Sequence, residues 1–208
     1  MKLEQRKSQM KSAFIHLFSG MIVGILTVTG TSPVLAQFGD TEQPSQERTQ
    51  LVQKANALYN EGNFPEAEKS IRSLLKKYPK DAFGHYQLGN ILFRQGKPEE
   101  AITSYQKAIS LNSSYALAHN ALGVVLAEKG QREEAISEYQ KALKINPDYG
   151  DALTNLAQTL WQQGKKTEAI ASMEKALNVF KQQQRRDKAY RVEQFLRQMK
   201  TQDDPSVS

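Results

Sequence analysis

The chain has 208 residues and carries 28 basic residues against 22 acidic ones, a formal net charge of +6 at pH 7. It contains no cysteine, which excludes a disulfide framework, a thiolate nucleophile and cysteine-ligated zinc. Residues 37–180 hold 17 basic and 17 acidic side chains, so they offer no basic face of the kind that nucleic-acid binding requires. We therefore expect no nucleic-acid partner.

The first 36 residues follow the order of a secretory signal peptide. Basic side chains come first, an apolar run covers residues 13–28, and small residues lead to Ala36. This order predicts cleavage after Ala36 and export to the periplasm or to the lumen of a cell envelope. The alternative is an uncleaved membrane anchor, although polar and small residues leave the run short of the roughly 20 apolar residues of a spanning helix.

Two segments flank the remaining region. Residues 37–47 and 201–208 show neither helical nor strand periodicity. They are predicted to be a disordered linker and a disordered tail, because they contain too few apolar residues to form a core. The residues between them are sufficient for one domain.

A period of 34 residues runs through this domain. Units of this length, recurring three times or more, are typical of a helical solenoid, in which each unit buries its apolar face against its neighbours. Such proteins usually work through a surface and not through a pocket. The residues that recur at this step are Gly62, Gly96, Gly130 and Gly164, and with them Ala67, Ala101, Ala135 and Ala169.

The third unit gives the physical reason for the period. Apolar residues at helical spacing occupy both sides of Gly130, and glycine suits the left-handed turn that ends a first helix. The small side chain of Ala135 allows the second helix to approach the first closely. Residues 146–148, Asn-Pro-Asp, then stop the second helix. The unit is therefore predicted to be a helix-turn-helix.

These features resemble the tetratricopeptide repeat, a family with a 34-residue helix-turn-helix pattern. The first unit is weaker, with Ala55 where the family has glycine and Leu74 where it has alanine. The fourth lacks the terminal proline, so its second helix is free to run on. The matching residues are Leu88, Gly89, Ala101, Tyr105 and Ala108 in the second unit and Leu122, Gly123, Ala135, Tyr139, Ala142 and Pro147 in the third.

The resemblance implies an all-α fold, a right-handed α-solenoid of four repeats at residues 48–81, 82–115, 116–149 and 150–181. A final helix is predicted at residues 182–200, where apolar residues form one stripe, as expected of a helix that caps the exposed core edge of the last repeat. The alternative is a basic amphipathic helix that binds anionic lipid. Its basic side chains spread around the helix, which favours the cap. The stripe consists of Ala189, Val192, Phe195, Leu196 and Met199.

The resemblance also implies a concave groove lined by the first helix of each repeat. Its asparagines place one amide in each repeat, and an amide can both donate to and accept from the backbone of an extended peptide. The competing interpretation is that they are solvated polar residues on an exposed face. Alanine in place of Asn90 and Asn120 is expected to weaken binding without changing thermal stability. The groove set is Asn56, Tyr59, Tyr86, Asn90, Phe93, Asn120, Val124, Asn155, Gln158 and Trp161.

Two further features of the groove follow from its register. One position of the repeat is aromatic in units 1, 2 and 4, where it holds Tyr59, Phe93 and Trp161. Unit 3 has the small residue Ala127 at this position, which suggests a side-chain pocket there. Co-chaperone members of the family grip a C-terminal carboxylate with lysine and arginine side chains. In the matching slots, only Asn56 fits that pattern, which argues against this function. Those slots hold Val52, Asn56, Gln87, Leu117 and Ala121.

The sequence gives little support for catalysis. His85 and His119 lie 34 residues apart and so occupy one slot in consecutive repeats, where partly packed rings are expected rather than metal ligands. The acidic pairs at residues 99–100 and 133–134 fall in first turns of helices, where the helix dipole favours negative charge. The sequence contains no phosphate loop, nucleophile elbow or metal-spaced cluster. We expect no enzyme activity, no metal and no cofactor.

Two functional hypotheses remain. The first is an exported scaffold that binds a protein partner, as an extended segment, along its groove. The second is a membrane-anchored assembly factor for a multi-subunit membrane complex, for example a photosynthetic one, in which residues 13–30 stay as an anchor. The sequence leaves the oligomeric state open.

Overall fold

The computed structural model describes residues 43–203, and within that range every regular element is an α-helix. This agrees with the predicted all-α solenoid. The helices are α1 (Gln43–Asn60), α2 (Phe64–Lys77), α3 (Ala82–Arg94), α4 (Pro98–Leu111), α5 (Ala116–Glu128), α6 (Arg132–Ile145), α7 (Gly150–Gln162), α8 (Lys166–Gln182) and α9 (Arg186–Asp203).

The helices pair as the period predicts. In each repeat a first helix (α1, α3, α5 or α7) packs against a second helix (α2, α4, α6 or α8), which also contacts the first helix of the next repeat. First helices of neighbouring repeats contact one another directly, α3 with α5 and α5 with α7, while the second helices approach one another less closely. The layer of first helices is therefore the inner side of the array.

The turn inside each repeat depends on glycine. Gly62, Gly96, Gly130 and Gly164 have φ values of 78°, 73°, 78° and 77°, in the left-handed region that other residues adopt only at a cost. At Gly130 the backbone N–H donates to Ala127 O at 3.0 Å, which closes the end of α5. The prediction of left-handed glycines is confirmed.

The predicted small residues lie at the helix contacts. The four alanines of the period, Ala67, Ala101, Ala135 and Ala169, are completely buried. Around them two adjoining apolar clusters form the core, one centred on repeats 1 and 2 and the other on repeats 3 and 4 together with α9. The core is thus continuous along the array but shallow, because each repeat contributes one layer.

Polar contacts also join successive repeats. The Arg48 guanidinium in α1 binds the Asp81 carboxylate at 2.6 Å, and Asp81 caps α3 by accepting from the Gly84 N–H at 3.0 Å. Lys129 Nζ in the turn of repeat 3 lies 2.9 Å from Glu99 at the start of α4. Each of these contacts fixes the distance between one repeat and the next.

Three helix boundaries differ from the predicted ones. The helix α1 begins at Gln43, inside the predicted linker 37–47, and its extra turn is held where Glu47 pairs with Lys77. At the other end α8 runs on to Gln182, so that the capping helix begins at Arg186, and it continues to Asp203 in the predicted tail. The longer α8 agrees with the missing terminal proline of the fourth unit, whereas local periodicity did not reveal the start of α1 or the end of α9.

The last helix covers the end of the core, as predicted. Ala189, Val192, Leu196 and Met199 are buried against α8, and Phe195 is partly buried beside them. The predicted signal peptide at residues 1–36 lies outside the described residues. Among the helices that are described, none combines the length and the apolar character that a membrane span requires.

Candidate functional site

The first helices carry all ten residues predicted to line the groove. α1 holds Asn56 and Tyr59, α3 holds Tyr86, Asn90 and Phe93, α5 holds Asn120 and Val124, and α7 holds Asn155, Gln158 and Trp161. Gln158 is exposed and the other nine are half-buried. Half-buried side chains on the inner layer are held by the fold on one side and open to solvent on the other.

The amides of the first two repeats bond to one another. The Asn90 Nδ2 donates to Gln87 Oε1 at 3.1 Å, and Gln87 in turn donates to Asn56 Oδ1. The buried Tyr105 hydroxyl donates to Asn90 Oδ1 at 2.9 Å and so begins this chain of hydrogen bonds. The structure therefore brings Asn56 and Asn90 together through Gln87, which the sequence prediction left out.

The two remaining asparagines form a second pair. The Asn155 Nδ2 donates to Asn120 Oδ1 at 2.9 Å, and the Tyr149 hydroxyl also shares a hydrogen bond with Asn120. An amide nitrogen carries two N–H donors, so each pair keeps donors for a ligand. The four asparagines are thus two bonded groups and not an evenly spaced ladder of independent contacts.

A cluster of tyrosines lies next to these two groups, and sequence reasoning predicted only Tyr86 of it as a groove residue. The Tyr86 ring centroid is 6.1 Å from that of Tyr105 and 5.2 Å from that of Tyr115. Burial raises the pKa of Tyr115 to about 12, and burial likewise raises the pKa of Tyr105 and of Tyr149. These hydroxyls stay protonated near neutral pH and act as donors. The available signal was Tyr115 and Tyr149 recurring 34 residues apart.

The aromatic slot is occupied differently in each repeat. In the first repeat, Tyr59 stacks edge-on against Phe64 at 5.5 Å, and the Arg94 guanidinium covers both rings at 5.7 and 5.0 Å. In the fourth, the Lys166 amine lies 5.6 Å from the centroid of Trp161. Ala127, the small residue of the third repeat, packs partly buried against the core.

The sequence matches models of known families over most of the array. Residues 51–81 and 114–182 match models of the tetratricopeptide repeat, and residues 89–130 match a further model of the same repeat. Within residues 51–182 the chain is built from tetratricopeptide repeats. A search of curated proteins found no match.

Solved structures of other tetratricopeptide repeat proteins share this fold. The MamA protein is 22% identical, with a TM-score of 0.58 over 76% of this chain and 93% of that one. YrrB, a TPR protein with an unusual peptide-binding site, is 24% identical, with a TM-score of 0.55 over 65% and 70%. The first TPR of Spaghetti (RPAP3), bound to the HSP90 peptide SRMEEVD, is 23% identical, with a TM-score of 0.55 over 58% and 95%.

The two histidines of the tetratricopeptide array have structural contacts. His119 is buried, with Nδ1 2.6 Å from Glu138 Oε2 and Nε2 3.3 Å from Ser113 O. His85 Nε2 lies 2.9 Å from Pro79 O. Each ring therefore joins its first helix to a neighbouring segment. In the described part of the chain, no three histidine or carboxylate side chains are grouped to hold a metal ion.

Proposed function

We propose that this protein is a non-catalytic scaffold of the cell envelope that holds an extended segment of a partner protein along its inner layer of helices. The observation that carries the proposal is the set of bonded amides on the first helices, which lie beside the half-buried Tyr86 and Tyr115 and the buried Tyr105. Two of the similar structures, YrrB and the first TPR of Spaghetti, are described as having a peptide-binding site or a bound peptide, which supports a peptide as the ligand.

Hydrogen bonds alone provide too little free energy for micromolar binding, so apolar contacts must provide most of it. Four hydrogen bonds at about 0.5 to 1.5 kcal/mol each give about 2 to 6 kcal/mol, less than the roughly 8 kcal/mol of micromolar binding. Since the asparagines already bond to one another and to tyrosines, their net contribution lies toward the lower end. Apolar side chains of the partner must therefore pack on the inner face, where Leu117 is 43% exposed.

A photo-crosslinking amino acid placed along this face tests the proposal. It is introduced into the full chain, in its native cells, at Leu117 in α5 or at Gln158 in α7. The control position is Lys107, which is exposed on the second helix α4. We expect the same adduct from both inner positions and none from the control. Adducts from the control as strong as those from Leu117 and Gln158 would contradict the proposal.

The location in the envelope has a separate test. The mass of the mature protein from native cells is expected to correspond to residues 37–208, because the N-terminal segment has the order of a cleaved signal peptide. A full-length mass together with recovery in the membrane fraction would instead favour the membrane-anchored assembly factor.

A further inference from the structure

The last helix leaves a cleft beside the fourth repeat. The first helices α3 and α5, and likewise α5 and α7, contact one another, but α9 packs on α8 without the same approach to α7. α8 has 17 residues where the other second helices have 14. The turn that follows α8 passes through Gln184, a non-glycine residue with φ 56°. A cavity of about 430 Å³ lies between α7 and α9, beside this connection.

The floor of the cleft is apolar. Met173 and Phe180 of α8 form it together with Val192 and Phe195 of α9. The first three are buried in the core, and Phe195 is partly buried. Phe195 therefore supplies the apolar surface that a ligand can reach, and the cleft volume of about 430 Å³ lies within the range of ligand sites.

The rim of the cleft is cationic. Lys188 Nζ and the Arg185 guanidinium carbon lie 5.6 and 5.4 Å from the Phe180 ring centroid. Asp151 pairs with both cations, at 2.5 Å to Lys188 and 3.8 Å to Arg185. Arg191 also lines the cleft, with no described carboxylate within ion-pairing distance. Two cations and one carboxylate line the cleft, and Arg185 lies beside it, so an excess of positive charge remains at the rim, which favours an anionic ligand.

We propose that this cleft binds an apolar side chain of the partner segment that lies next to a carboxylate. The apolar group packs against Phe195, above the buried Met173 and Phe180, and the carboxylate pairs with Arg191. Gln158 belongs both to the inner face and to the lining of the cleft, so the cleft continues the proposed groove at its C-terminal end. The inference rests on the proposed function, and it specifies the chemistry of the segment that the last repeat binds.

Two pairs of fluorescein-labelled peptides test this chemistry on the full chain by fluorescence anisotropy. The first pair is amidated Gly-Ser-Phe-Asp-Gly-Ser against amidated Gly-Ser-Phe-Asn-Gly-Ser. The second is Gly-Ser-Gly-Ser-Phe as free acid against its amide. Together they distinguish a side-chain carboxylate from a chain terminus. The variants are Arg191→Glu and, as the matched charge reversal on the same helix, Arg186→Glu, which lies outside the cleft lining and is exposed.

We expect a carboxylate peptide of at least one pair to bind about ten-fold more tightly than its neutral counterpart. Arg191→Glu is expected to abolish that preference, while Arg186→Glu keeps it within about two-fold. Unchanged melting curves establish that both variants fold. Equal affinities within both pairs, or equal losses in both variants, would overturn the inference.

Lipid is the competing ligand class, and flotation with vesicles of phosphatidylcholine and phosphatidylglycerol tests it. Vesicle binding that Arg191→Glu removes, with no carboxylate preference among the peptides, would overturn the peptide assignment.

Crosslinking from Leu117 separates the two proposals, because α5 does not line the cleft. An adduct at Leu117 without any carboxylate preference rejects the cleft and keeps the groove. A missing adduct rejects the groove.

Discussion

Gly89 lies directly against the ring of Tyr105. A Cβ atom built on Gly89 would be 2.5 Å from the nearest ring carbon, and one on Gly123 would be 2.6 Å from the ring of Tyr139. The same two positions hold Ala55 with Ile71 in the first repeat and Ala157 with Met173 in the fourth. Where the second helix presents an aromatic ring, the first helix has no side chain. Where it presents an aliphatic one, the first helix has a methyl group.

This pairing predicts that Gly89→Ala destabilises the protein by about 1 to 3 kcal/mol, because the added methyl group overpacks the ring. Adding Tyr105→Ile recreates the residue pair of the first repeat and should recover part of the loss. Urea unfolding of the two single variants and the double variant gives the coupling free energy. Additive losses would show that the ring is not the cause.

Substitution of a turn glycine is predicted to lower the stability of the protein for a different reason. A Cβ on Gly130 would meet nothing within 4 Å, but its φ is 78°. Gly130→Ala should therefore cost about 1 to 2 kcal/mol through backbone strain alone. Gly130→Asn should cost less, because asparagine tolerates the left-handed region better. Thermal unfolding compares the two variants, and equal losses would contradict a backbone origin.

The Arg48–Asp81 contact predicts a dependence of stability on pH. Burial by itself would raise the pKa of Asp81, but hydrogen bonds from Arg48 and from the Gly84 N–H outweigh it and lower the pKa. A carboxyl group whose pKa is lower in the folded state stabilises the fold above its unfolded-state pKa of about 3.9, and that stability is lost as the pH falls through the folded-state value.

Asp81→Asn tests this contribution, because asparagine still caps α3 but removes the charge. The free energy of unfolding of the variant should be lower at neutral pH and should fall less on acidification than that of the parent chain. Denaturant unfolding at a series of pH values measures both. Parallel curves would exclude Asp81 as a source of acid sensitivity.

The Asn90–Tyr105 hydrogen bond corrects the expectation that groove asparagines are dispensable for stability. Asn90 accepts from a buried hydroxyl, so Asn90→Ala should cost about 1 to 3 kcal/mol by leaving that hydroxyl without its acceptor. In a Tyr105→Phe background the same substitution should cost much less. Chemical denaturation of the four proteins measures the difference, and a cost independent of Tyr105 would refute this explanation.

The sequence by itself determined the repeats. The glycine turns, the buried alanines and the stop after α6 depend on neighbouring residues in the chain, because turn geometry and helix termination are local properties. For that reason the 34-residue period was enough to place the helices, while the resemblance to the tetratricopeptide repeat assigned the groove residues to the first helix of each repeat.

Only the tertiary structure decided how these side chains are used. Gln87 lies 31 residues from Asn56, and Asn155 lies 35 residues from Asn120, so their bonds exist only once neighbouring repeats have packed. The cleft beside α9 likewise depends on the longer α8 and on Gln184. Contacts between repeats leave no periodic signal of their own, because they join residues that the chain brings together only by folding.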